Sequence, residues 1–70
     1  MAEVLAEMVA NVWKVLASPG DAVSAGDALM ILESMKMEIP VESPMDGVVT
    51  EVRVREGGVV QEGDIVAVVE

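Results

Sequence analysis

VWKVLASPGDAVSAGDALMILE (Val12–Glu33) is followed, 37 residues further along the chain, by VTEVRVREGGVVQEGDIVAVVE (Val49–Glu70). Seven positions are identical between the two stretches at this constant offset. Similarity at a fixed offset indicates two copies of one supersecondary unit. We therefore predict one domain over residues 1–70 with an internal repeat, 12–33 and 49–70. The identical pairs are Val12 and Val49, Val15 and Val52, Gly20 and Gly57, Val23 and Val60, Gly26 and Gly63, Asp27 and Asp64, and Glu33 and Glu70.

Each copy has the pattern of a strand, a glycine turn, a short strand, a Gly-Asp turn and a further strand. Glycines mark the turns because tight reversals often need a positive φ, which we expect at Gly63. The first copy divides into Val12–Ala17, Pro19-Gly20-Asp21, Gly26-Asp27 and Ala28–Glu33. The second divides into Val48–Arg55, Glu56-Gly57-Gly58, Gly63-Asp64 and Ile65–Glu70.

Alternation of side chains supports the strands. It places Val12, Lys14 and Leu16 on one face with Trp13, Val15 and Ala17 on the other, and it separates Val52 and Val54 from Arg53 and Arg55. Gly or Pro interrupts most possible helices, so we predict an all-β chain. Matching halves predict two small sheets, related by a pseudo-twofold axis, that pack face to face as a flattened barrel or sandwich.

The composition limits which chemistry is open to this chain. Hydrophobic residues make up 53% of its 70 residues, but Trp13 is the sole aromatic residue, so aliphatic side chains must form one modest core. Without Cys there is neither a disulfide framework nor a thiolate zinc site. Without His there is no imidazole base, which makes most hydrolytic mechanisms improbable.

The charge is equally informative about partners. Thirteen acidic and four basic residues give a formal net charge of −9, which disfavours nucleic acids and anionic membranes as partners. The first residues are acidic where a secretory signal is basic, and no apolar run is long enough to span a membrane. We expect a cytoplasmic protein that is monomeric in isolation.

Lys36 lies midway between the repeats, in a segment expected to form an exposed hairpin. Glu33 and Glu38 flank it and favour the charged amine, which suits a substrate better than a catalytic base. A plainer interpretation is a solvated surface lysine between two methionines that fill gaps in the core. Composition alone favours this plainer interpretation.

A motif resemblance reverses that balance. Glu33-Ser34-Met35-Lys36-Met37-Glu38 closely resembles the attachment signature of the biotinyl domains of biotin-dependent carboxylases. The Pro-Gly-Asp and Gly-Asp turns before the lysine and Pro44-Met45-Asp46-Gly47-Val48-Val49 after it also resemble that family. The resemblance covers nearly the whole chain, and it implies a barrel-sandwich hybrid of two four-stranded antiparallel sheets. Ala10 departs from it, because relatives usually carry a turn glycine there.

By this resemblance, the chain is a compact carrier rather than an enzyme. A biotin protein ligase would attach biotin to Lys36, with Met35 and Met37 as recognition and positioning residues and with Glu33, Ser34 and Glu38 contributing to ligase recognition. The biotin arm would then carry a carboxyl group between biotin carboxylase and carboxyltransferase subunits. The alternatives are a lipoyl carrier, an unmodified adaptor domain and, more weakly, a metal module built on Asp21, Asp27 and Asp64.

Overall fold

A computed structural model describes residues 1–70 as eight β-strands joined by turns, with no helix that could cross a membrane. The strands are β1 (Ala2–Leu5), β2 (Ala10–Val15), β3 (Ala22–Val23), β4 (Ala28–Ser34), β5 (Met37–Glu42), β6 (Gly47–Val52), β7 (Val59–Val60) and β8 (Ile65–Val69). The all-β prediction is confirmed. The first strand is an addition, since the sequence pattern indicated no element before Val12.

The strands form two antiparallel sheets of four. We call the sheet with the order β5-β4-β2-β7 the hairpin sheet, because Lys36 lies in its β4–β5 connection, and the sheet with the order β1-β8-β6-β3 the terminal sheet. Both pack their apolar faces onto one core, which consists of Val4, Ala6, Ala10, Val12, Ala17, Leu29, Met30, Leu32, Val49, Val60, Val66, Ala67 and Val69. The predicted flattened barrel-sandwich is confirmed.

The offset of 37 residues also relates the strands. Strands β2 and β6 begin and end at equivalent positions, as do β3 and β7, while β1 corresponds to β5 and β4 to β8. Replacing each strand by its counterpart converts one sheet order into the other. Each sheet therefore takes two strands from each half of the chain, and neither half forms a sheet alone.

Aspartate side chains close three of the turns. The carboxylate of Asp27 accepts a hydrogen bond from the Ser24 N–H at 2.8 Å, and that of Asp64 accepts one from the Gln61 N–H at 2.8 Å. Asp21 forms the same contact with Ser18. Side chains of this kind stabilise turns by satisfying nearby backbone donors. These carboxylates therefore have a structural role, and the structure contains no group of three or more acidic residues placed to hold a metal ion.

A bulge contradicts the predicted alternation in β2. The register shifts between Val12 and Lys14, so that both Trp13 and Lys14 are exposed, while Val12 and Val15 face inward. A bulge inserts one extra residue and changes the face that later side chains take. Both predicted faces are therefore wrong. Val12 lies in the core while Lys14 and Leu16 are exposed, and Trp13 is exposed while Val15 and Ala17 pack inward. The pattern for Val52, Val54, Arg53 and Arg55 is correct, with both valines packed towards the core.

A second bulge lies at the equivalent point of β6, where the register shifts between Val49 and Glu51. The duplication thus extends to the irregularities of the strands.

The duplication is less exact at Ala10 and its counterpart Gly47, which differ in their surroundings. Ala10 is buried and pairs with Val60, whereas a Cβ on Gly47 would lie 2.5 Å from the Glu70 carbonyl oxygen. The departure at Ala10 is therefore accommodated at a paired position of β2.

The chain termini and the Lys36 hairpin occupy equivalent places in the two sheets. Strand β1 pairs with β8 through Ala2 and Val69, as β5 pairs with β4 through Ile39 and Leu32. At their other ends, β1 and β8 are joined by short connections to Ala10 and Val60. These two residues pair with each other at the end of the hairpin sheet that carries Lys36. The termini therefore lie at the opposite end of a molecule that is 31 Å long and 17 Å across.

Candidate functional site: the Lys36 hairpin

Lys36 lies in the tightest connection of the hairpin sheet. Strands β4 and β5 pair without interruption from Met30–Val41 to Ser34–Met37, which leaves only Met35 and Lys36 in the loop. Two-residue loops of this kind fix the register of the strands that they join. The lysine backbone is consequently held on both sides by a ladder of paired residues. The prediction that Lys36 lies on an exposed hairpin between the halves is confirmed.

The backbone of this loop is unusual. Met35 has a φ of 52° and Lys36 has a φ of 66°, and these are the only residues other than glycine with positive φ. Two consecutive left-handed residues define the type I′ turn, whose twist matches that of the strands. Such turns favour Asn-Gly, because a side chain with a Cβ costs energy in this conformation. The site retains two long side chains where stability alone would select smaller residues.

The side chains at the tip project into solvent. Met35 is 92% exposed and Met37 is 64% exposed, although both are apolar. Lys36 is also exposed and forms neither a hydrogen bond nor an ion pair, since the single ion pair of the structure joins Arg53 and Glu51. None of the three surface depressions is lined by these residues. The amine is therefore presented on the outside of the molecule, where only another macromolecule could enclose it.

The remaining predicted site residues lie directly behind the tip. Ser34 pairs with Met37, and Glu33 pairs with Glu38 across the two strands, with both carboxylates exposed. Like charges at directly opposed positions repel each other. No basic side chain of this chain neutralises the pair. The hairpin therefore combines one free amine, two exposed thioethers and two unpaired carboxylates.

One feature near the hairpin could not be anticipated from the sequence pattern. Trp13, for which simple alternation predicts the same face as Val15, lies on the outer face of the hairpin sheet rather than in the core. The Nζ atom of Lys14 lies 5.6 Å from its ring centroid, which is a cation–π distance. A bulge has no reliable signature in a single sequence. The only available signal was that Trp13 is the single aromatic residue of a chain whose other apolar residues are aliphatic.

Comparison with known proteins identifies the family. Residues 1–69 match the biotin/lipoyl family model, which is described as "Biotin-requiring enzyme". The chain belongs to the biotin/lipoyl attachment family. A biotinylated protein TB7.3 homolog of Mycobacterium leprae is 53% identical over 67 residues, which cover 96% of this chain and 94% of that protein.

Two further members of the biotin/lipoyl attachment family are informative. The biotin/lipoyl attachment protein of Bacillus subtilis is 48% identical over 59 residues, covering 84% of this chain and 81% of the relative. The crystal structure of Kluyveromyces lactis urea carboxylase superimposes with a TM-score of 0.93 at 36% identity, over 99% of this chain and 6% of that one. These relatives confirm the prediction of a biotin carrier domain and favour it over the lipoyl alternative.

Proposed function

We propose that Lys36 is the residue of this chain that carries covalent biotin, and that residues 1–70 act as one biotinyl domain. The observation that supports this assignment is the geometry of the tip, an exposed and unpaired amine in a two-residue turn. Lys14, the other lysine, lies within β2 and stacks on Trp13. Only Lys36 is therefore both unpaired and projected away from the body of the sheet.

The attachment reaction requires little from the domain itself. The neutral ε-amine of Lys36 would attack the carbonyl carbon of biotinyl adenylate, forming an amide bond while the bond to the adenylate phosphate breaks and AMP leaves. The amine loses one proton to solvent or to the ligase. A biotin protein ligase would supply the activated ester and the catalytic groups. The turn supplies position, because paired strands on both sides reduce the freedom that Lys36 must lose on entering the ligase.

The flanking residues have complementary parts in this proposal. Met35 and Met37 offer flexible apolar side chains that adapt to an apolar surface around the lysine. Glu33 and Glu38 repel each other in the free domain, and a basic residue of the ligase would relieve that repulsion. Ser34, which pairs with Met37, keeps the turn in register. We assign these five residues to ligase recognition and positioning.

The domain is a carrier and not a catalyst in this proposal. Biotin, when bound, supplies the atom that accepts and releases a carboxyl group. The rigid barrel tethers that group and raises its concentration at the active sites of biotin carboxylase and carboxyltransferase partners. The fold contains no cysteine, so a cytoplasmic setting places no redox requirement on it.

Intact-mass analysis tests the assignment directly. The purified chain, incubated with a biotin protein ligase, biotin and ATP, should gain the mass of one biotinyl group. Lys36→Ala should gain none and should remain folded, because an exposed tip residue contributes little buried surface. Lys36→Arg keeps the charge and the length and should also gain none, while Lys14→Arg should be modified as the wild type is.

Two outcomes would contradict the assignment. Biotin found on Lys36→Arg would move the attachment to Lys14 or to the amino terminus, which peptide mapping would distinguish. A lipoyl-sized increase with a lipoate ligase, in the absence of biotin incorporation, would favour the other branch of the family. An unmodified chain in both reactions would support an adaptor role.

A further inference from the structure

The outer faces of the two sheets differ in a way that the fold does not require. Because the sheets are related by the 37-residue offset, each outward position on one has a counterpart on the other. Counterparts on the two outer faces can therefore be compared directly. This comparison provides an internal reference for deciding which surface residues do more than cover a sheet.

The hairpin sheet carries a group of large exposed apolar residues, here called the patch, whose counterparts on the terminal sheet are smaller or polar. Trp13 is 44% exposed, Leu16 is 53% exposed and Val59 is 61% exposed, and none of the three packs against the core. Their counterparts on the terminal sheet are Thr50, Arg53 and Ala22. Ile31 completes the patch, since it is partly exposed, lies outside the core cluster and pairs with Lys14 beside Trp13.

The terminal sheet shows what a closed outer face looks like in the same fold. Val68, the counterpart of Ile31, is only 3% exposed and lies between Glu3 and Glu51 in the ladder. Glu51 forms an ion pair with Arg53 at 3.0 Å. Exposed apolar residues also occur there, at Met1, Leu5 and Val48, but β8 separates Leu5 on β1, and Met1 just before it, from Val48 on β6. On the hairpin sheet the central strand β2 carries the exposed Trp13, with Lys14 over its ring and Asn11 opposite Val59.

Ile31 lies on β4, the strand that leads into the Lys36 hairpin, with the exposed Glu33 between them. Ile31 precedes Ser34 by three residues on β4, which corresponds to about 10 Å along a strand. A partner that buries about 800 Å² per side covers a disc with a radius of about 16 Å. An interface of this size centred on the hairpin extends back over Ile31, which is opposite Lys14 beside Trp13. The exposed Glu33, Glu38 and Glu42 line the β5 side of the same face.

We propose that this patch, formed by Trp13, Leu16, Ile31 and Val59, is a docking surface for the biotin protein ligase. The proposal rests on the attachment of biotin to Lys36, because the position of the patch on the sheet that forms the Lys36 hairpin selects the occupant. The complementary ligase surface consists of an apolar recess for the Trp13 ring, with basic side chains on the side that meets the three glutamates. Trp is among the residues that most often dominate the energetics of an interface.

Steady-state biotinylation by a purified ligase tests the proposal. Trp13→Thr introduces the residue that occupies the equivalent bulge position, Thr50, so the backbone should tolerate it. We expect its KM for the carrier to rise by about tenfold or more with kcat at saturating carrier nearly unchanged. Val48→Asn is the matched control on the terminal sheet, since it introduces the counterpart residue Asn11, and it should leave kcat/KM unchanged.

A spectroscopic measurement separates contact from an indirect effect on folding. Trp13 is the only tryptophan, so 5-fluorotryptophan labelling gives a single fluorine resonance. This resonance should shift and broaden when ligase is added without ATP. If Trp13→Thr does not fold, Leu16→Arg, which copies Arg53, provides the kinetic test in its place.

Several results would overturn the proposal. An unchanged KM in a folded Trp13→Thr variant, or an unchanged fluorine resonance at saturating ligase, would remove the ligase from this face. A resonance that shifts with carrier concentration alone would assign the face to a second copy of the chain, and one that responds only to biotin carboxylase would assign it to that enzyme. Wild-type biotinylation at Lys36 in the same assay would show that the attachment proposal survives such a failure.

Discussion

Met35 and Lys36 hold a left-handed conformation that their side chains disfavour, and they do so at the tip where we propose that biotin is attached. Backbone strain of this kind persists where the surrounding structure enforces it, and the β4–β5 ladder does so here. The motif, and hence the identity of the candidate lysine, could be read from the sequence. The positive φ of both residues could not, because neither residue type favours it.

The strain at Met35 leads to a prediction about stability. Asn tolerates the left-handed region better than Met, so Met35→Asn should raise the free energy of unfolding by about 0.5 to 1 kcal/mol. Met37→Asn is the matched control, since Met37 lies in β5 without positive φ and should show no such gain. Urea denaturation of the two variants checks this. Equal midpoints for both would mean that the turn is unstrained.

Among the elements, the turns and longer strands followed from the sequence, whereas the bulges and the pairing of strands did not. Glycine and aspartate specify a turn through local geometry, so Gly26-Asp27 and Gly63-Asp64 were recognisable without tertiary information. The bulge at Trp13 depends on packing between sheets, and simple alternation therefore placed Val15 on the wrong side relative to it. Sheet membership likewise depends on contacts between the halves.

Replacing either of two glycines should destabilise the fold, and the physical reason differs between them. Gly63 has a φ of 89° and open space where a Cβ would lie, so Gly63→Ala should cost about 1 kcal/mol or more through backbone conformation alone. Gly47 lacks a positive φ, but a Cβ there would meet the Glu70 carbonyl oxygen, so Gly47→Ala should cost about 1 to 3 kcal/mol through overpacking.

Chemical denaturation distinguishes these two mechanisms when an asparagine variant at each site is compared with the alanine variant. Gly63→Asn should recover part of the loss, because Asn tolerates the left-handed region, whereas Gly47→Asn should be no better than Gly47→Ala. A full recovery at Gly47 would contradict the steric explanation.

For the whole molecule, the absence of any partner for the Lys36 amine makes its charge a direct reporter of modification. Acylation converts the ammonium group to a neutral amide, so the modified chain should be about one unit more negative than the formal −9 of the free chain. Native electrophoresis or isoelectric focusing should resolve the two forms. Lys36→Gln has the charge of the modified form and should migrate with it, and a mismatch would indicate a second modified group.

The equivalence between the termini and the Lys36 hairpin has a topological consequence. At the offset of 37 residues, Glu70 and Met1 correspond to Glu33 and Glu38. A four-residue linker that joined Glu70 to Met1 would therefore occupy the place that residues 34–37 occupy in the hairpin. A backbone joined head to tail through Ser-Met-Lys-Met would be a closed ring of two 37-residue units, with a lysine at each pole. Such a ring should accept two biotins per molecule. Opening the ring within the original hairpin would give a circular permutant whose only modifiable lysine lies in the new linker between Glu70 and Met1.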